Sequence, residues 1–250
     1  MGFKYINEIA TSENINQLLT LIDRVAGASS DVNNVFDVTD MLRDSPQMEQ
    51  CLKWMKQDPA TAKMIEEQYM GADYDLEAML KMPQGSLGWT YAKVMTEINY
   101  DPKFYRLREI ESDTDYVINR IRNTHDLHHI LTGFSMDDYG EAGVISVTVA
   151  QTGYPGWMLI DILSMLLNFF AGENDLGIDV EYDFDTISTG IKMGRAAKPL
   201  FPVKWEEYFE LSLAQLRAEL NIKPVTEGKW SWYTRPNLRA AVELEELITI

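Results

Sequence analysis

Apolar positions recur at helical spacing along most of the chain, and no run shows strand alternation with a second run to pair against. Ile15, Leu18, Leu19, Leu21, Ile22 and Val25 lie on one face of a helix over 15–25, which Gly27 closes. Short amphipathic helices are predicted over 41–55 and 60–69, parted by Asp58-Pro59, and over 74–80, stopped by Pro83-Gln84-Gly85. Ser86 is placed to cap a helix over 87–98 that ends before Asp101-Pro102. A longer helix starts at Ser112 and runs to about 131, with Gly133 where a terminating glycine belongs. The segment 138–151 is rich in β-branched residues (Val144, Ile145, Val147, Val149), yet helix is favoured because a strand there lacks a partner. Helices over 157–170, 187–197 and 202–220 complete an all-α reading: one multi-helix domain over 1–250, without repeats or linkers.

Two helices have faces that admit a use beyond core packing. On 157–170 the polar residues Asp161, Ser164 and Asn168 form a narrow strip, and the remainder is apolar, including Met158, Ile162, Met165, Phe169 and Phe170. Such an arc suits a central helix, a dimer or membrane-surface face, or the wall of a tunnel for an isoprenoid chain. Met158, Ile162, Met165 and Phe169 are therefore candidate ligand-lining residues. Over 187–197, Gly190, Gly194 and Ala197 make a small-residue face, while Lys192 and Arg195 make a basic stripe that reads first as solvated charge on a surface helix and second as a match for a carboxylate or phosphate. The aromatic cluster Trp230, Trp232 and Tyr233 has no assignable role from sequence.

Composition narrows the classes. Hydrophobic residues make up 46% and charged residues 24% of 250, as in ordinary globular proteins. Acids outnumber bases 39 to 22, for a formal charge of −17, which argues against nucleic acid and against broad docking on anionic bilayers. A single cysteine, Cys51, fits a reducing compartment. The first residues lack the apolar region of a signal peptide, and the most apolar stretch, 144–170, is cut by Gly153-Tyr154-Pro155-Gly156. The expected location is cytoplasmic, with peripheral membrane association and no transmembrane segment.

All three histidines fall in the run Thr124-His125-Asp126-Leu127-His128-His129, and Glu141 follows twelve positions later. His125 and His129, four apart, share one helix face with Cβ atoms roughly 5–6 Å apart, within reach of one divalent ion. The bland alternative is a pair of satisfied histidines in a polar seam, with Glu141 decorating the first turn of its helix. A short loop, and the small neighbours Gly140, Ala142 and Gly143, let a helical hairpin return Glu141 opposite the histidines. Two imidazoles and two carboxylates suit zinc first, and iron, cobalt, manganese or magnesium after it.

The pattern His125-Asp126-x-x-His129, eleven residues, Glu141 resembles the signature of the Coq-four family of coenzyme Q (ubiquinone) biosynthesis. Asp58-Pro59, the run from Leu80 to Gly88 with Tyr91, Gly194-Arg195, Trp205-Glu206 and the run from Leu216 to Ile222 are similar to its flanking pattern, over about 50–222. The resemblance implies metal ligands at His125, Asp126, His129 and Glu141, placed on two adjacent antiparallel helices. It implies a helical protein, often dimeric, that holds a divalent ion beside an apolar cavity for a prenylated ring precursor. Family members are described both as organisers of a quinone-biosynthesis complex and as catalysts of oxidative decarboxylation at ring carbon one.

The leading expectation is thus a metal-dependent protein of prenylquinone biosynthesis, homodimeric and in contact with other proteins of that pathway, that places an isoprenoid lipid or prenylated quinone precursor beside the ion. The rival is a non-catalytic lipid carrier or scaffold whose metal only ties helices together. A hydrolase with adjacent His-Asp ligands needs further histidines, and none exists outside 125–129.

Overall fold

The computed structural model describes residues 11–27, 33–103, 105–171 and 180–242. In order, the helices are α1 (Ser12–Ala26), α2 (Asn33–Asp40), α3 (Pro46–Met55), α4 (Pro59–Glu67), α5 (Leu76–Met79), α6 (Leu87–Glu97), α7 (Asp113–Thr132), α8 (Asp138–Thr152), α9 (Pro155–Ala171), α10 (Val180–Ala196), α11 (Leu213–Leu220) and α12 (Pro236–Val242). Among the described residues there is no strand, only two isolated bridges, so the all-α expectation holds. The first ten residues, and the side chain of Phe170, lie outside the described residues.

Most predicted boundaries agree with the observed caps. Ser112 accepts from the Asp115 amide at 3.3 Å, Ser86 from the Trp89 amide at 3.2 Å, and Gly133 closes α7 at φ +83°. The β-branched segment is helical, as α8, with Asp137 accepting from the Tyr139 amide at its start and Gly153 at φ +66° at its end.

The structure departs from the sequence prediction at four places, one being α10, which starts at Val180 rather than 187. The helix expected over 41–55 begins only at Pro46, because Ser45 caps the Met48 amide and Pro46 takes the first helical position. Helix α2 has no counterpart in the sequence prediction, since its short, half-polar run lacks a sustained period. The helix expected over 202–220 is broken into the 3-10 turn Trp205–Glu207 and α11. Residues 208–212 leave helical geometry to receive the α6 N-terminus: Phe209 and Leu211 carbonyls accept from the Gly88 and Leu87 amides at 2.8 and 2.9 Å. Here tertiary pairing overrides a helical pattern.

Helix α7 is the axis of the molecule and is buried on nearly every side. Its first half (Tyr116, Val117, Ile118, Ile121) packs in a core with α1, α3, α4 and α9; its second half (Leu127, Ile130, Leu131) packs in another with α6, α8, α11 and α12. Polar residues on so buried a helix need partners. Asn119 accepts from the Arg108 amide and donates to its carbonyl at 2.9 and 2.8 Å, Arg122 donates to Asp40 at 2.7 Å, and Arg120 donates to the Met70 and Val203 carbonyls. Asp115, 1% exposed, receives Arg43 through two bonds of 2.7 Å and also Arg108 and Ser112.

Helices α8 and α10 pack almost backbone to backbone. A Cβ on Gly190 would lie 2.2 Å from the Gly143 carbonyl oxygen, and one on Gly194 would lie 2.6 Å from that of Val147. The small-residue face read from Gly190 and Gly194 is therefore a helix contact.

The hydrogen bonds from Arg43, helped by Ser112 and Arg108, outweigh burial and hold the Asp115 carboxyl well below the usual carboxylate range. Its stabilisation is present above the unfolded value of about 3.9 and is lost as pH falls below that value. Asp115→Asn is expected to cost roughly 3 kcal/mol at neutral pH by urea unfolding. The gap to wild type should narrow as the titration is repeated below about pH 4; a gap that stays constant would show that the charge is not the source.

Candidate metal centre

The site is built where α7 ends and α8 begins. The five-residue link between them, 133–137, is drawn tight by contacts that only small residues allow: a Cβ on Gly140 would sit 2.0 Å from the Ser135 carbonyl oxygen, and one on Gly143 would sit 2.2 Å from the Phe134 ring. The spacing of small residues that suggested close helix approach thus serves the link as well. It returns Glu141, in the first turn of α8, to the face of α7 that carries His125 and His129.

His125, His129 and Glu141 each offer a ligand atom, and these atoms lie within 4.8 Å of one another. The two Nε2 atoms are 3.2 Å apart, and Glu141 spans them, with Oε2 3.1 Å from His125 and Oε1 3.3 Å from His129. His129 is buried, His125 nearly so, and the Glu141 side chain keeps 40% of its surface. A carbonyl can only accept, so His129 Nδ1, 3.2 Å from the Phe134 oxygen, donates and leaves the Nε2 lone pair free on the neutral ring.

Two imidazole nitrogens at that separation repel unless a proton or cation lies between them. Two nitrogens on one tetrahedral zinc stand about 3.3 Å apart, from bond lengths of about 2.0–2.1 Å. The donor set therefore fits a divalent ion, and three protein ligands leave coordination positions open. Loss of hydration works against ionisation of both His129 and Glu141. In each case the partner charge wins: the ring's proton affinity is raised, and the carboxyl is held well below its usual range by the two histidines.

The other residues singled out by sequence are placed as follows. Asp126 is buried but outside the converging three; it accepts from Tyr100 Oη at 3.5 Å, and burial raises its carboxyl to about 6. His128 points away, against the Trp205 ring at 5.8 Å and Thr148 Oγ1 at 3.5 Å. On α9, Met158, Ile162 and Phe169 are 43%, 50% and 67% exposed and Met165 is half-buried, so the apolar arc faces outward. Lys192 and Arg195 are exposed on α10. Arg195 lines a surface cleft of about 490 Å³ with Trp54, Gln57, Gln151 and Thr152. That cleft sits by the C-terminal end of α8, about 15 Å along the helix from Glu141 at 1.5 Å per residue.

Sequence reasoning missed the residues that support the site from outside. Trp157 presents its ring to His125 at 4.5 Å between centroids. Trp232 Nε1 donates to the His129 carbonyl at 3.1 Å, and Arg217 donates to the Ile130 and Leu131 carbonyls at 2.6 and 2.8 Å and to Tyr233 Oη. Arg235 and Ser135 both donate to Asp137, which caps α8. The alternation of Trp230, Ser231 and Trp232 was visible, but nothing in it named the carbonyls it would meet.

Fold and site together define an all-helical chain whose two consecutive helices converge two histidines and a carboxylate. The family model for coenzyme Q (ubiquinone) biosynthesis protein Coq4 matches residues 26–226. The chain belongs to that family, whose members take part in ubiquinone biosynthesis. The matched region starts well before residue 50, so part of the N-terminal stretch left unplaced by motif comparison is family sequence. The chain is 31% identical over 154 residues to the mitochondrial ubiquinone biosynthesis protein COQ4 homolog of Anopheles gambiae, covering 60% of this chain and 51% of that one. It is 29% identical over 175 residues to the corresponding Rattus norvegicus protein, covering 68% and 63%. The chain thus spans about half to two thirds of the length of these curated relatives. A crystal structure of a Nostoc punctiforme protein described as one of ubiquinone biosynthesis shares the fold, with a TM-score of 0.70 at 24% identity over 83% of this chain and 97% of that one. No helix among the described residues is long and apolar enough to cross a membrane.

His129→Ala is expected to weaken divalent-ion affinity by more than about a hundredfold, and Asp126→Asn, outside the converging three, by about tenfold. Metal titration of the stripped protein reads both. Unchanged affinity in His129→Ala removes the assignment.

Proposed function

We propose that this chain is a metal-dependent protein of prenylquinone biosynthesis that holds a prenylated ring precursor beside a divalent ion and positions it for oxidative decarboxylation, in which the ring carboxylate leaves as carbon dioxide, a hydroxyl takes its place and an external two-electron oxidant accepts the electrons. The observation that carries this reading is the convergence of His125, His129 and Glu141 within 4.8 Å, in a set that leaves open positions. A closed site of four protein ligands would favour the rival in which metal only ties helices together. The ion, zinc by first choice, would polarise a head-group oxygen placed at the open side.

The protein's own residues prepare that place. The Phe134 carbonyl fixes the His129 tautomer, and Trp157 walls the His125 side with an apolar ring. Asp126, joined to Tyr100, is a second carboxylate beside the histidines; as a fourth ligand it would close the site for zinc but leave positions open on a six-coordinate ion. For the isoprenoid tail, support comes from α9: Met158, Ile162 and Phe169 lie exposed in one stripe, with Met165 between them. Ile15, Leu18 and Leu19 of α1, which packs on α9, are exposed as well. An apolar face of this kind fits contact with a lipid, a bilayer surface or a second copy of the chain. Lys192 and Arg195 lie exposed on α10, Arg195 at the cleft by the C-terminal end of α8.

Native mass spectrometry of protein never exposed to chelator tests the reading. The expected spectrum carries one divalent ion per chain and, before solvent extraction, a lipid-sized mass. Folded protein that carries neither, and takes up neither when offered them, contradicts it.

A further inference from the structure

Asp161 is a buried acid with no part in the ligand set. It sits on α9 one turn after Trp157, so the two side chains share a face, with Cβ atoms about 5–6 Å apart. The Trp157 ring abuts His125, which places Asp161 next along the wall of the metal centre. Its Oδ2 accepts from Ser146 Oγ at 2.9 Å, while its Oδ1 is buried without a hydrogen-bond partner. A bare carboxylate oxygen in such a place is costly, whereas a protonated one is a donor awaiting an acceptor.

The surroundings favour the neutral acid. Burial raises the Asp161 carboxyl to about 8; Ser146 opposes this, and the charges that act on it, Glu141 from α8 and Asp183 from α10, are both acids. Asn168, two turns further along α9, is already engaged with Asp183 at 2.7 Å. Among the buried polar atoms described on the polar strip of α9, Asp161 Oδ1 is the one without a hydrogen-bond partner, and it lies at the metal-centre end.

We propose that Asp161 is a specificity-determining residue that donates a hydrogen bond from Oδ1 to a carboxylate oxygen on the ring of the ligand held at the metal centre. This rests on the proposed function and adds the residue that tells the carboxylated ring from the ring without its carboxylate. A hydrogen bond from an acid to a carboxylate is short and strong.

The test uses the metal-loaded full chain and two probes, a geranylated hydroxybenzoate and the matching geranylated phenol. Wild type should bind the acid about tenfold more tightly than the phenol. Asp161→Ala should lose that preference with phenol affinity and metal content unchanged, while Asp161→Asn, whose amide can still donate, keeps most of it. Wild-type preference should fall as pH rises from 7 to 9, and Asp161→Asn should show no such fall, because its donor does not titrate. Equal binding of both probes by wild type, or an undiminished preference in Asp161→Ala, overturns the assignment of Asp161 and leaves the metal-and-prenyl reading standing. Wild type that holds metal but binds neither probe overturns both.

Discussion

The site depends on how the C-terminal end of α7 is satisfied. The last carbonyls of a helix have no partners within it, and a helix that ends inside the protein must find them elsewhere. Here the His129 carbonyl takes both the Gly133 amide at 3.0 Å and Trp232 Nε1 at 3.1 Å, and Arg217 takes those of Ile130 and Leu131. The Thr132 and Gly133 carbonyls accept from the Val225 and Trp232 amides at 2.9 and 3.0 Å. Arg217 is 2% exposed and Trp232 fully buried, so these bonds are shielded from water. A buried guanidinium at a helix C-terminus also meets the negative end of the helix dipole.

Everything functional follows from that anchored end. With α7 stopped at Gly133, five residues remain to reverse the chain, and Phe134 must pass close enough for its carbonyl to meet His129. Gly140 and Gly143 make room, and Asp137, held by Arg235, starts α8 in the register that puts Glu141 over both histidines. Helix α10 then clamps α8 through Gly190 and Gly194, and α9 covers the remaining side with Trp157 and Asp161 inward and an apolar stripe outward. Rigid support at the ligands and an exposed apolar face beside them is an arrangement suited to a small polar head on a greasy tail.

The local features of this design were legible in the sequence because they depend on neighbours in the chain. The caps at Ser86, Ser112 and Gly133, the helical spacing of α1, α6 and α7, and the pairing of His125 with His129 are all decided within one or two turns. Helix α8 is legible in the same way despite its β-branched residues, because the sequence offers no second segment with strand alternation to pair with it. What stayed hidden depends on distant partners. The break at 208–212 is imposed by the α6 amides, and the roles of Arg217, Trp232 and Arg235 exist only because the chain returns to the α7 terminus from far away. Asp126 shows the same limit: spacing puts it on the histidine helix, but its contact with Tyr100, from another segment, is not visible in the sequence.

The central claim is that His125, His129 and Glu141 hold one divalent ion. Anomalous diffraction at the zinc edge, from crystals of the protein grown with zinc, tests it most directly. The account predicts a single strong peak bounded by the two Nε2 atoms and the Glu141 carboxylate, with density for a non-protein group on its open side. A structure of the same fold with no peak there, at saturating zinc, would contradict it.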